Sequence, residues 1–189
     1  MKIMILSDSH SMTKQTLLQF IKNHPASYYI HCGDIYMPYT PLEVDHFYNV
    51  RGNNDFVDLP KDLTLDIDHL KFFICHGHLF HIDESPYELE AYASNHHLDV
   101  VCFGHTHNPT YYKKENTIFI NPGSMTFPRG QYPHPTYCVF ETTNQEVTFY
   151  DLKTDSPCNP FEVRKKNPFL KDSLNNYFSI MIEVGKILL

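Results

Sequence analysis

With 189 residues, 42% of them hydrophobic and 20% charged, the chain has the size and composition of one ordinary domain, able to bury a core without disulfide or metal support for folding. The 13 Tyr and 14 Phe supply bulky packing groups in the absence of Trp, which excludes a wholly disordered chain. A formal net charge of -7, with no basic run beyond Arg164, Lys165 and Lys166, argues against long nucleic acid as a partner.

Taken in chain order, the first apolar run, Lys2 to Leu6, predicts a strand. It stops at Ser7-Asp8, too short for a signal-peptide core, and no later run approaches the ~20 apolar residues of a spanning helix. Thr13 to Asn23 carries Leu17, Leu18, Phe20 and Ile21 on one helical stripe. Strands are predicted next at Tyr28 to Cys32, Phe47 to Val50 and Lys71 to Cys75. Ser85, Pro86 and Glu88 form a helix-start signature, with Ser85 as N-cap and Pro86 in the first helical position, so Ser85 to His97 is predicted helical. Further strands are expected at Asp99 to Phe103, Thr117 to Ile120, Thr136 to Phe140 and Val147 to Leu152. The early strand, helix, strand order indicates an α/β start, and the close spacing after residue 117 indicates antiparallel pairing.

The composition shifts after Leu152, and Leu170, Leu174, Phe178, Met181, Val184 and Leu188 recur at helical spacing. The expected organisation is a single domain over 1–189, with 153–189 a C-terminal extension ending in a helix. The apolar face of that helix either packs on the core or forms a homo-oligomer or partner surface. The five cysteines, Cys32, Cys75, Cys102, Cys138 and Cys158, stand singly with no CxxC pair. That usage indicates reduced thiols and a cytoplasmic protein, away from membranes.

Five predicted strands are followed by residues suited to metal binding. Asp8 and His10 follow the first, Asp34 the second, Asn53 the third, His76 the fourth, and His105 with His107 the fifth. Loops at the carboxyl ends of strands converge on one side of an α/β sheet, so these positions can meet in one pocket. In extended backbone, side chains two apart point the same way, so Asp8 with His10, and His105 with His107, are expected to aim paired donors at one centre. Glycines before Asp34, Asn53 and His105 let the backbone turn tightly there. Carboxylate, imidazole and amide donors without thiolate suit Mn, Fe, Ni or Zn. His24, His46, His69, His96, His97 and His134 fall in helix or loop surroundings and are not assigned to the centre, whereas His78 and His81 stand near enough to His76 to support it.

The ordered motifs DSH, GD, GNND, HGH and GHTH resemble the calcineurin-like metallophosphoesterase superfamily, in particular its small YfcE-like phosphodiesterase branch, over roughly residues 1 to 150. Asn121-Pro122-Gly123-Ser124 resembles a turn of that branch. The resemblance implies a sandwich of two β-sheets flanked by helices, classed as α/β or α+β. It also implies two divalent transition-metal ions, Mn foremost, with Asp8, His10, Asp34 and His107 on one, and Asp34, Asn53, His76 and His105 on the other. Asp34 would bridge. Such a pair would activate a shared hydroxide for attack on a small phosphoester.

Two further residues are candidates for catalysis. Arg129 is a candidate phosphate clamp. Asn54 stands where many family members carry a histidine that protonates the leaving oxygen, and an amide has no such proton to give. The pocket rim is expected to include Tyr36, Met37, Tyr39 and the loop from Ser124 to His134. The alternative reading is a non-catalytic scaffold, because the phosphoesterase-fold subunit of the endosomal retromer coat resembles the same family. A DNA-repair nuclease of that superfamily would carry further domains and a basic channel, which this sequence lacks.

Overall fold

A computed structural model describes residues 1–35 and 42–162 of the chain. The predicted C-terminal helix, Arg164 to Lys166, and Tyr36, Met37 and Tyr39 of the expected rim all lie outside these residues.

The chain opens with β1 (Lys2–Leu6), and its side chains alternate between two apolar environments. Ile3 and Ile5 face the central core, whereas Met4 and Leu6 face α1 (Lys14–Asn23). Thr13 caps that helix by accepting the N–H of Thr16 at 3.1 Å, and Leu17 and Ile21 are its buried positions. β2 (Tyr28–His31) and β3 (Phe47–Asn49) then lie parallel to β1, one beside the other.

The next strands begin a second sheet. β4 (Asp62–Ile67) and β5 (Leu70–Cys75) form a hairpin across Asp68 and His69, both with positive φ (51° and 66°), as a two-residue turn of the primed type requires. α2 (Tyr87–Asn95) leads to β6 (Val100–Cys102), β7 (Thr110–Lys114) and β8 (Thr117–Asn121). The helix is shorter at both ends than the sequence pattern indicates. Ser85 still accepts the N–H of Tyr87 at 3.2 Å, and Pro86 holds helical backbone angles just before the first turn.

The chain then returns to the first sheet with β9 (Thr136–Glu141), β10 (Glu146–Asp151) and β11 (Ser156–Cys158). The sheets run in the orders β11-β10-β9-β1-β2-β3 and β4-β5-β6-β8-β7. Both contain parallel strands, β1 with β2 and β3 toward one edge of the first sheet, and β5 with β6 and β8 in the middle of the second.

The sheets face each other through a core that includes Ile3, Ile5, Ile30, Phe72, Ile74 and Phe140. α1 covers the outer face of the first sheet and α2 that of the second, where Leu89 and Ala93 pack with Phe73, Val101 and Phe119. The result is the expected two-sheet sandwich flanked by helices. Cys32, Cys75, Cys102 and Cys138 are buried free thiols, acting as small apolar residues within it. Phe72 and Phe140 join the two sheets edge to face at 5.6 Å. Phe72→Ala is therefore expected to destabilise the protein by about 3–5 kcal/mol in chemical denaturation. A loss below about 1 kcal/mol would contradict this placement of the core.

Candidate metal centre

The parallel strands of both sheets deliver their carboxyl ends to one edge of the sandwich. Hydrogen bonds tie the loops there: Asp8 N–H to Gly33 O at 3.1 Å, His10 N–H to Asp34 O at 3.1 Å, and Gly104 N–H to His76 O at 3.0 Å. The seven residues singled out by the sequence meet at this edge.

Asp8 Oδ1 lies at the middle of the group. It is 3.1 Å from His107 Nε2, 3.7 Å from His10 Nε2 and 4.0 Å from His76 Nε2. Asp34 Oδ2 lies between the same groups, 3.7 Å from His10 Nε2 and 3.5 Å from His76 Nε2. Asn53 Oδ1 is 3.0 Å from both His76 Nε2 and His105 Nδ1, which brings the last two residues into the cluster. Asp8 with His10 and His107, and Asp8 with Asp34 and His76, are triads whose donor atoms lie within 4.8 Å of one another.

The backbone reason for this convergence differs from the expected one. The loops are not extended at these residues: φ is positive at Asp8 (52°), His10 (29°), Asp34 (55°), His105 (68°) and His107 (58°). Each is an Asp or His in a conformation uncommon for any residue with a Cβ, and such strain is concentrated at functional sites. The residues thus converge through left-handed backbone and not through the expected strand alternation. The glycine argument holds in a specific form. A Cβ at Gly104 would stand 2.0 Å from Ser7 Oγ and 2.8 Å from Asp8 Oδ2, and one at Gly52 would stand 2.0 Å from Asp34 Oδ1.

Neighbouring groups orient each donor. His76 Nδ1–H donates to Cys32 O at 2.7 Å and His107 Nδ1–H to Phe127 O at 2.8 Å, which turns both Nε2 atoms toward the carboxylates. Ser7 Oγ–H and the His105 N–H both donate to Asp8 Oδ2, at 2.5 and 3.2 Å. Asp8 Oδ1, by contrast, is buried and faces imidazole nitrogens, the nearest being His107 Nε2 at 3.1 Å. A carboxylate oxygen withdrawn from water in that way is costly unless a cation meets it, so the donor set fits a metal.

Asn54 and Arg129 take different places. The Asn54 backbone N–H donates to Asp34 Oδ1 at 2.8 Å and its side-chain amide to Asp34 Oδ2 at 2.6 Å, so this residue holds the carboxylate in position. Arg129 is exposed on the loop beside the centre, its N–H donating to His107 O at 3.0 Å.

Several supporting residues were not singled out by sequence. Asp55 accepts from the N–H groups of Asp34 and Gly52 at 2.9 and 2.8 Å, closing the turn that presents Asn53. Ser124 and Thr126 hydroxyls donate to Asp8 O at 2.8 and 3.1 Å. His31 Nε2 pairs with Ser9 Oγ at 3.0 Å, and complete burial pulls the pKa of His31 down to about 4. Ser124 belongs to the Asn121-Pro122-Gly123-Ser124 turn and Thr126 to the expected rim loop, whereas the others carry no signal beyond a polar residue next to a motif. His134, left unassigned by sequence, joins the Tyr132 hydroxyl on the Asp151 carboxylate and so anchors the far end of the Arg129 loop.

The centre's titration follows from its charges. Burial raises the Asp34 pKa, but hydrogen bonding and charge from His76, with the Asn54 bonds, outweigh it and leave this carboxyl well below its usual range. Burial lowers the pKa of His76 and His107, yet the carboxylates they face reverse the sign and raise both above 6.5. His10 and His105 are lowered, chiefly by burial. A metal must displace protons from His76 and His107, which hold them to higher pH than free histidine does. Manganese affinity is therefore expected to fall at least tenfold as pH drops from 8 to 6, with proton release detected as a buffer-dependent binding enthalpy. An affinity independent of pH would contradict this account.

Comparison with known proteins agrees with the geometry. The calcineurin-like phosphoesterase superfamily domain matches residues 1–145. The chain is 32% identical over 156 residues to the probable metallophosphoesterase YsnB of Bacillus subtilis (strain 168), covering 80% of this chain and 91% of that protein. It is 29% identical over 162 residues to phosphodiesterase YfcE of Escherichia coli (strain K12), covering 70% and 84%. A solved predicted phosphoesterase from Streptococcus pneumoniae TIGR4 has a TM-score of 0.75 at 27% identity, covering 80% of this chain and 90% of that one. Vps29 from Entamoeba histolytica, solved with Zn+2, has a TM-score of 0.68 at 21% identity, covering 84% and 96%, a likeness of fold alone.

Proposed function

This chain belongs to the calcineurin-like phosphoesterase superfamily and is a metal-dependent phosphoric ester hydrolase, and we propose that it hydrolyses small phosphodiesters with the help of two divalent transition-metal ions. One ion would be held by Asp8, His10, Asp34 and His107, and the other by Asp34, Asn53, His76 and His105. The observation that carries this reading is Asp8 Oδ1, buried and ringed by imidazole nitrogens at 3.1 to 4.0 Å. The carboxylate, imidazole and amide donors suit Mn, with Ni, Fe or Zn as substitutes. When bound, the ions supply Lewis-acid polarisation of the phosphoryl group and a positive field that attracts an anionic ester.

The chain's own residues do the rest. Asn54 fixes the orientation of Asp34 through two hydrogen bonds. With its amide so committed, Asn54 has no proton for the leaving oxygen, which favours esters whose alcohols leave readily. Arg129 stands on the loop that Phe127 ties to His107, and its guanidinium would pair with phosphate oxygens at the edge of the centre.

Free thiols and the absence, among the described residues, of any helix long and apolar enough to cross a membrane support action in the cytoplasm. The scaffold reading draws on the likeness to Vps29, and that likeness is one of fold. A scaffold has no use for a buried carboxylate oxygen ringed by imidazole nitrogens. Purified protein is expected to cleave a p-nitrophenyl phosphodiester, to lose that activity with chelator and to regain it with Mn. Arg129→Ala should lower kcat/KM at least tenfold at unchanged metal content. Absence of turnover under Mn, Ni, Fe and Zn alike would overturn the proposal in favour of the scaffold.

A further inference from the structure

Beside the metal centre, on the His105 side, lies a cavity of about 700 Å³. Its volume is within the range of small-molecule sites and exceeds what a phosphate group alone would need. The walls come from three segments: Ile82 and Asp83 after the fourth ligand loop, Phe103 to Tyr112 around the fifth, and Arg129 with Gly130 on the loop opposite. His105 and Arg129 are thus shared between the cavity and the centre. A phosphodiester whose phosphate sits at the ions and pairs with Arg129 would direct one of its alcohols into this space.

The chemistry of the walls selects among alcohols. Ile82, Phe103 and Tyr112 offer flat or apolar surface, and Tyr112 is itself braced by stacking on Phe119 at 4.8 Å with the rings 4° from parallel. Burial, reinforced by the nearby Glu90 carboxylate, raises the Tyr112 pKa and keeps the phenol neutral. Between these surfaces stand polar groups, from Asp83, His105, Thr106, Asn108, Thr110 and Arg129. A small polyol would leave the apolar walls facing hydroxyl groups, at a desolvation cost. A ring with apolar faces and a hydrogen-bonding edge satisfies both kinds of wall.

Resting on the phosphodiesterase reading above, we infer that this cavity is the subsite for one alcohol of the substrate, and that it takes a ring-bearing alcohol, nucleoside or aryl, in preference to an aliphatic or polyol one. Thr110, at the start of β7, lines the cavity and has no part in the metal centre, so its replacement tests the subsite separately.

The experiment is calorimetric titration of the Mn-loaded protein with methyl phosphate, glycerol 3-phosphate, benzyl phosphate and thymidine 5′-monophosphate. At least one ring-bearing phosphate is expected to bind tenfold or more tightly than methyl phosphate, with glycerol 3-phosphate gaining little. Preference for the thymidine compound over the benzyl one would identify the nucleoside edge, and equal gains the ring faces alone. Thr110→Trp, which fills the cavity, should erase the ring advantage and leave methyl phosphate binding unchanged. Asn108→Trp, at an exposed wall position, should do the same and serves if the first variant does not fold. Equal affinities for all four ligands, or a ring advantage surviving in a folded filled-cavity variant, would overturn the subsite while leaving the phosphodiesterase reading intact. Failure of every phosphate to bind would overturn both.

Discussion

Two carboxylates, Asp8 and Asp34, are buried at the same edge of the sandwich, and the architecture of that edge is organised around them. Like charges out of water repel strongly, so they persist side by side only where cations, hydrogen-bond donors or both offset the repulsion. Donors account for most of the requirement. Asn54 meets both oxygens of Asp34, and Ser7 with the His105 N–H meets one oxygen of Asp8. The second oxygen of Asp8 faces imidazoles instead, groups able to ligate a metal.

The two-sheet construction makes this arrangement feasible. A single doubly wound sheet would present its carboxyl ends along one line, whereas here β1, β2 and β3 approach the centre from one sheet and β5 and β6 from the other. Donors therefore surround the carboxylates from both layers. Close approach has conformational consequences: left-handed backbone at Asp8, His10, Asp34, His105 and His107, and contacts at Gly52 and Gly104 that leave no room for a Cβ. The hydrophobic core between the sheets, with Phe72 set against Phe140, stabilises the sandwich against that strain.

Much of this was legible in the residues, for identifiable reasons. The strands that carry the site are largely apolar, as buried parallel strands are, and polar residues that stand out follow soon after each run. β4 and β7, both edge strands, mix charged or polar residues with their apolar ones and so resemble loops in composition. The loops were misread for a related reason: sequence spacing conveys which residues are near each other, but left-handed backbone at an Asp or His leaves no distinctive signature. Asp55, His31 and Ser124 act through bonds to partners 21, 22 and 116 positions away, and such pairings cannot be read from one sequence. The role of Asn54 lay between these cases. Its position next to Asn53 drew attention, and only the structure placed its amide on Asp34.

The central proposal is that Asp34 is shared between two cation sites, so that the centre holds two ions rather than one or none. Elemental analysis of Mn-loaded protein, compared across the wild type, His10→Ala and Asp34→Asn, tests it most directly, because His10 would touch one ion and Asp34 both. The account predicts two ions per chain in the wild type, about one in His10→Ala and fewer than one in Asp34→Asn. A wild type with a single ion or none, or folded variants that each retain the same one ion, would contradict it.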